Sequence, residues 1–217
     1  MAIYDTEEEQ LEQLKKWWQT NNGSLIAGVI AAALIVTANN FWQGYQFEQR
    51  SEASKLYQEL LDAAAANKTD SIETLANKLA TEFASSTYSS YAALQLAKLK
   101  VQTGDLEAAK ALLQKQISAS DSPELKHLSR LRLIQLLLET KQYEPGLKLI
   151  SEVDPGSSEG FSASYDELQG DLYAAMERYD EARSAYQSAI RSGFATPLVQ
   201  FKLDDIAAPA LANSPAK

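Results

Sequence analysis

The feature that most constrains this chain is a window, Trp17 to Phe47, that contains no charged residue. Its middle, Leu25 to Tyr45, reads LIAGVIAAALIVTANNFWQGY. As a helix, Leu25 to Trp42 spans about 27 Å at ~1.5 Å per residue, and continuing to Tyr45 reaches the roughly 30 Å of a bilayer's hydrocarbon core. Trp17 and Trp18 precede the run and Phe41, Trp42 and Tyr45 close it, as the interfacial aromatic belts of membrane helices do. A transmembrane helix is predicted over 24–45. A helix buried in a soluble core is the alternative, because the purely apolar part ends at Val36 and Asn39 and Asn40 follow.

Residues 1–23 form a short polar head. Thr6-Glu7-Glu8-Glu9 fits a capping box, which predicts a helix starting at about Thr6. Leu11, Leu14 and Trp18 share one face, Lys15 and Lys16 lie toward the far end, and Asn21-Asn22-Gly23 is the expected stop. The head reads as an amphipathic helix on the membrane surface or as a merely solvated one.

Orientation is not set by charge. Two lysines (Lys15, Lys16) precede the span and two cations (Arg50, Lys55) follow it, so the positive-inside rule ties. Val36-Thr37-Ala38 also resembles a signal-peptide cleavage site, although an acidic, capped head is unlike the usual short basic one. An uncleaved anchor and a cleaved signal peptide that releases the helical part are thus the two alternatives. Within the span Ser24, Gly28, Ala32, Val36 and Asn40 recur every four residues, a small-residue face on which another helix can dock, with Asn40 placed to bond across the interface.

After Phe47 the sequence turns polar and helical. The whole chain carries a net charge of −9, and the part after Phe47 has 24 acidic against 18 basic residues, a poor surface for phosphate backbones, so no nucleic acid is expected. The absence of cysteine excludes disulfides, thiolate catalysis and cysteine zinc sites. Short breaks at Asn67-Lys68-Thr69-Asp70, Gly104-Asp105, Lys141-Gln142 and Glu177-Arg178 are spaced by 37, 37 and 36 residues, the period of a helix-turn-helix array.

The clearest copy runs from Asp166 to Ala189, where Gly170, Tyr173, Ala182, Tyr186 and Ala189 occupy the small and aromatic positions of the tetratricopeptide pattern. Gly170 and Ala182 are expected to let two helices touch, with Tyr173 and Tyr186 filling the space around them. Ala97, Ala109 and Leu113 supply a weaker copy, Tyr143 and Gly146 another, and Leu56, Leu60 and Leu61 facing Ile72, Leu75, Leu79 and Phe83 a first hairpin. The fold class expected is all-α: one N-terminal transmembrane helix, then a tetratricopeptide-like superhelix of about four hairpins over 46–206. Pro123 after Ser122 marks a helix start, Pro197 to Ile206 a final helix packing through Phe194, Val199, Phe201 and Leu203, and 207–217 a disordered tail.

Catalytic and metal motifs are weak. Gly156-Ser157-Ser158-Glu159-Gly160 matches the G-x-S-x-G nucleophile pattern but has no strand before it and no histidine after it. His127 has no second histidine or cysteine and reads as a surface residue of a first helical turn. Lys110, Lys115, Glu107 and Glu124 read as a solvated face. No catalytic residue, cofactor or metal ligand is assigned.

The opening Ile3-Tyr4-Asp5-Thr6-Glu7-Glu8-Glu9-Gln10, the span, the hairpins, the Asp166 to Tyr186 copy and the closing Phe201-Lys202-Leu203-Asp204-Asp205-Ile206 together resemble the YfgM family, the ancillary subunits of the bacterial SecYEG translocon. The resemblance implies a single-pass inner-membrane protein with a cytoplasmic N-terminus and a periplasmic helical domain. It further implies association with the SecYEG translocon and with a PpiD-type periplasmic chaperone, a part in handling unfolded exported proteins, and, for relatives, a link to an envelope-stress regulator.

Overall fold

The computed structural model describes residues 7–212 except 157, 159, 194 and 195, and the side chains of 9–206 within that range. Among the described residues all regular structure is helical: α1 (Glu7–Ala65), α2 (Thr69–Glu82), α3 (Thr87–Gln102), α4 (Leu106–Ala119), α5 (Pro123–Glu139), α6 (Tyr143–Ser151), α7 (Ser162–Ala175), α8 (Tyr179–Arg191) and α9 (Pro197–Ala212). Contacts divide the chain into two units, Met1–Glu52 and Ala53–Lys217.

The first unit is one stretch of α1. It holds a helix long and apolar enough to cross a membrane, with none of its most apolar window buried. The expected stop at Asn21-Asn22-Gly23 is absent, and the helix runs straight through it. Gly23 is not among the glycines with positive φ, and the Asn21 side-chain amide donates to the Trp17 carbonyl at 2.9 Å, so it supports the ladder it was expected to end. A glycine inside a helix costs only about 1 kcal/mol relative to alanine, and the Ala/Leu/Ile run beyond it offsets that. Thr6 and its capping box lie outside the described residues.

The second unit is a row of hairpins. The last turns of α1 pair with α2, α3 with α4, α5 with α6, and α7 with α8, and α9 packs on α8. Each hairpin turns the same way. Asn67, Gly104, Lys141 and Glu177 have φ of 53°, 82°, 58° and 61°. In every case this left-handed residue donates its N–H to the carbonyl three residues back, at 3.0–3.2 Å, as in Gly104 to Val101. The next residue donates five back at 2.8–2.9 Å: Lys68 to Ala63, Asp105 to Lys100, Gln142 to Leu137 and Arg178 to Tyr173. This is the Schellman arrangement, in which two carbonyls orphaned by the helix end are satisfied. The breaks spaced 37, 37 and 36 apart in the sequence are thus four copies of one backbone turn.

Two of the three starts between hairpins are capped by side chains, while α7 begins after Phe161 with none. Ser86 accepts from the Tyr88 N–H and Ser122 from the Leu125 N–H, each at 3.2 Å, with Pro123 in the first helical turn. Thr196 accepts from the Val199 N–H at 3.3 Å to start α9. That helix continues to Ala212, six residues past the expected end, with alanines on both sides of Pro209; the end of the expected tail, 213–217, lies outside the described residues.

The core follows the repeat. Leu60, Ala97, Ile134 and Gly170 occupy one register position and Ile72, Ala109, Gly146 and Ala182 a second, and all eight are buried. The volume is distributed differently from hairpin to hairpin. Leu60 and Ile72 pack with Ala76 in the first hairpin, whereas Gly170 and Ala182 pack with Tyr186 in the last. Conserving total volume while exchanging it between facing positions keeps the core filled.

Candidate functional site

Two surfaces present themselves, one in each unit. In the first, Ser24, Gly28, Ala32, Val36 and Asn40 are exposed along one face of α1, and a Cβ placed on Gly28 would meet nothing within 4 Å. Trp42 and Tyr45 lie with ring centroids 6.3 Å apart at the far end of the span. Some polar side chains here bond back onto their own helix: Thr20 to the Lys16 carbonyl at 2.9 Å and Thr37 to the Ala33 carbonyl at 2.8 Å. Asn40 makes no such bond among the described residues. An unpaired amide in an apolar helix is costly in a hydrocarbon environment, which favours a partner on another helix.

In the second unit, α3 and α5 flank a groove of about 510 Å³. Tyr91, Gln95, Lys98 and Gln102 line it from α3, Arg132 and Gln135 from α5, and Tyr57 closes one end from the last part of α1. A hollow of about 470 Å³ that shares Gln95, Lys98 and Gln102 adjoins it. Tyr57 lies 5.7 Å from Tyr88 and 5.9 Å from Tyr91, ring centroid to centroid, so three tyrosines make one aromatic cluster. The sequence reading missed this groove. Its signal was a helical period on α3, Tyr91, Gln95, Lys98 and Gln102, lying about 100° around the helix from the buried face that carries Ala92, Leu96 and Leu99.

The residues of the repeat signature sit at the end of the array. Ala182, Tyr186 and Ala189 are buried in one cluster, and Tyr173 packs against it half-buried, with the Arg178 guanidinium 4.5 Å from its ring centre. The Tyr186 ring covers Gly170, and its hydroxyl donates to Asp171 at 2.7 Å. Burial, and then the hydrogen bond to Asp171, push the Tyr186 phenol well above its usual range. Lys202 of α9 reaches both Glu167 and Asp171 at 2.8 Å. Burial would lower the Lys202 ammonium, but these two carboxylates outweigh it and hold it above its ordinary value. Phe201, expected to pack, points outward at 68 % exposure; Val199 and Leu203 cover the end instead. Phe194 lies outside the described residues.

Two surface assignments are corrected. His127 is 4 % exposed, stacked on Phe161 at 5.0 Å and hydrogen-bonded through Nδ1 to the Tyr165 hydroxyl at 2.9 Å. It sits in the second turn of α5, on the face that α7 covers. Lys110 is 7 % exposed, its stem packed away and its Nζ 2.9 Å from Glu107. Ser158 is buried in a turn, its hydroxyl donating to the Pro155 carbonyl at 3.1 Å; its G-x-S-x-G neighbours Ser157 and Glu159 lie outside the described residues.

Comparison with known proteins gives one consistent result. A family model described as a tetratricopeptide repeat-like domain matches residues 15–208. A protein of Escherichia coli (strain K12) named ancillary SecYEG translocon subunit is 30% identical over 209 residues, covering 95% of this chain and 99% of that protein. Proteins of the same name from Aggregatibacter actinomycetemcomitans and Neisseria gonorrhoeae are 26% and 27% identical, each over 95% of this chain and 100% of their own length. No solved structure matches the chain.

Proposed function

The chain belongs to the tetratricopeptide repeat-like family of ancillary SecYEG translocon subunits, and from that premise we propose that it is a non-enzymatic, single-pass scaffold of the bacterial inner membrane that binds the translocon through its apolar helix. In this reading residues 1–23 are a cytoplasmic head, 24–45 cross the bilayer, and 46–206 form a periplasmic binding domain. That domain engages a PpiD-type chaperone and assists unfolded exported proteins.

The observation that carries the reading is the face of α1 itself. It is uncharged from Trp17 to Phe47, aromatic at both ends, small along one stripe, and it holds in Asn40 an amide with no partner on its own helix among the described residues. A stripe of this kind lets a second helix approach closely enough for packing and hydrogen bonding to act where lipid supplies no hydrophobic drive. The relatives' name states the assembly in which such a helix would find its neighbour.

The test is site-specific photocrosslinking in native membranes. A crosslinker at Ala32, on the stripe, should capture a translocon subunit, and one at Leu34, about 200° around the helix, should not. Capture from neither position, or equally from both, would overturn the docking face. Because the chain has no cysteine, a single introduced thiol reports topology. Lys78→Cys should react with a membrane-impermeant maleimide from the periplasmic side and Gln13→Cys should not; the reverse pattern would invert the proposed orientation.

A further inference from the structure

We infer that the groove between α3 and α5 holds an extended segment of a non-native polypeptide that places an aromatic or large aliphatic side chain beside an acidic one. This rests on the proposed role in assisting exported proteins and says where, and by what chemistry, such a chain is held.

Three properties of the groove select that occupant. Apolar contact comes from Tyr91 and Val101, which are 39 % and 42 % exposed at the two ends of the α3 face. The run from Tyr91 to Gln102 is about 16 Å long, which matches roughly five residues of extended chain. The hydroxyls of Tyr57, Tyr88 and Tyr91 have no hydrogen-bond partner among the described residues, so each ring offers an apolar face and a free polar tip.

Main-chain recognition comes from Gln95, Gln102 and Gln135. Each lines the groove and none makes a side-chain hydrogen bond among the described residues. A carboxamide presents both donors and acceptors. An unfolded segment has unpaired N–H and C=O groups along its whole length, so three free amides suit it whatever its sequence.

The charge selects further. Lys100, Lys110 and Lys202 are all ion-paired, yet Lys98 and Arg132 in the groove have no ion-pair partner among the described residues. Glu139 is the one acid among the lining residues. On a chain of net charge −9, two unpaired cations beside an apolar wall favour a ligand that brings a carboxylate and disfavour a basic one.

The experiment uses the full chain in detergent micelles and two fluorescein-labelled decapeptides, one built from Asp, Phe, Leu and Ser and a twin with Lys in place of each Asp, read by anisotropy. The acidic peptide should bind about tenfold tighter than its twin, and Lys98→Glu or Arg132→Glu should erase the difference. Tyr91→Ser should weaken both peptides severalfold. Lys98 and Arg132 are exposed, so helicity and melting should be unchanged in those two variants; Tyr91→Ser also removes ring contacts with Tyr57 and Tyr88, so its binding is compared at a temperature where its helicity equals that of the parent. Equal binding of the twins, or undiminished binding by the variants, would overturn the inference. So would concentration-dependent self-association abolished by Tyr91→Ser, because the occupant would then be a second copy. Peptide binding that fails while Ala32 still captures the translocon removes only the groove assignment; loss of that capture removes the translocon reading itself.

Discussion

The ring of Tyr186 lies directly against the backbone of Gly170: a Cβ on that glycine would stand 2.5 Å from Cδ1 of the ring and closer still to Cε1. The ring has nowhere to go. It is 2 % exposed, and its hydroxyl is tied to Asp171. The close approach of α7 and α8 therefore depends on an absent methyl group.

Gly170→Ala should destabilise the soluble unit by about 1–3 kcal/mol, although alanine is the better helix former by ~1 kcal/mol, because overpacking outweighs propensity here. Urea unfolding measures it. In a Tyr186→Ala background the same substitution should become neutral or stabilising, and additive effects in the double mutant would contradict the contact.

The four Schellman turns carry unlike residues at the same left-handed position. Lys141 and Glu177 bear a Cβ where glycine is favoured, so Lys141→Gly and Glu177→Gly should each stabilise by about 0.5–1 kcal/mol, read as a raised melting temperature. Gly104→Ala should lose a similar amount. A destabilised Lys141→Gly would show that its side chain, not its backbone, matters at that turn.

Alkaline pH should loosen the end of the array. Tyr186 and Lys202 both hold their protons more tightly folded than unfolded. The folded chain then binds more protons than the unfolded one above about pH 10, where an ordinary tyrosine and then an ordinary lysine titrate, so stability falls as pH rises through that window. Below it the contribution is complete. Tyr186→Phe and Lys202→Met should each flatten the fall in melting temperature between pH 9 and 11, and an unchanged slope in both would refute the coupling.

Tyr165→Phe should cost about 1–3 kcal/mol, because it leaves Nδ1 of the buried His127 without its partner. Adding His127→Leu should recover part of the loss by removing the stranded group. If Tyr165→Phe were neutral in denaturant titrations, the 2.9 Å bond would contribute nothing.

Much of this architecture was readable in the residues. The spacing of Asn67, Gly104, Lys141 and Glu177 located every hairpin turn, since helices must end where no apolar period continues. Ser122-Pro123 announced its helix start by local chemistry alone. The repeat signature showed clearly only in the last hairpin because the other hairpins redistribute the same volume: Leu60 with Ala76 does what Gly170 with Tyr186 does, and no letter-by-letter pattern registers the exchange. His127 and Lys110 were misplaced for a related reason. Both are polar residue types that a short-range pattern assigns to the surface, while what covers His127 comes from Phe161 and Tyr165, more than thirty residues on. The groove stayed hidden because its walls belong to helices that only the finished stack sets side by side.

The repeated turn also bears on how the soluble unit comes into being. Packing joins helices that are successive or next but one along the chain, so no contact must wait for a distant segment. Chains dominated by local contacts fold quickly, because little loop entropy is lost before packing begins. Each hairpin can close once its own stretch of about 37 residues is free, upon the hairpin already standing before it. Folding can thus keep pace with a chain delivered from its N-terminal end, one turn after another.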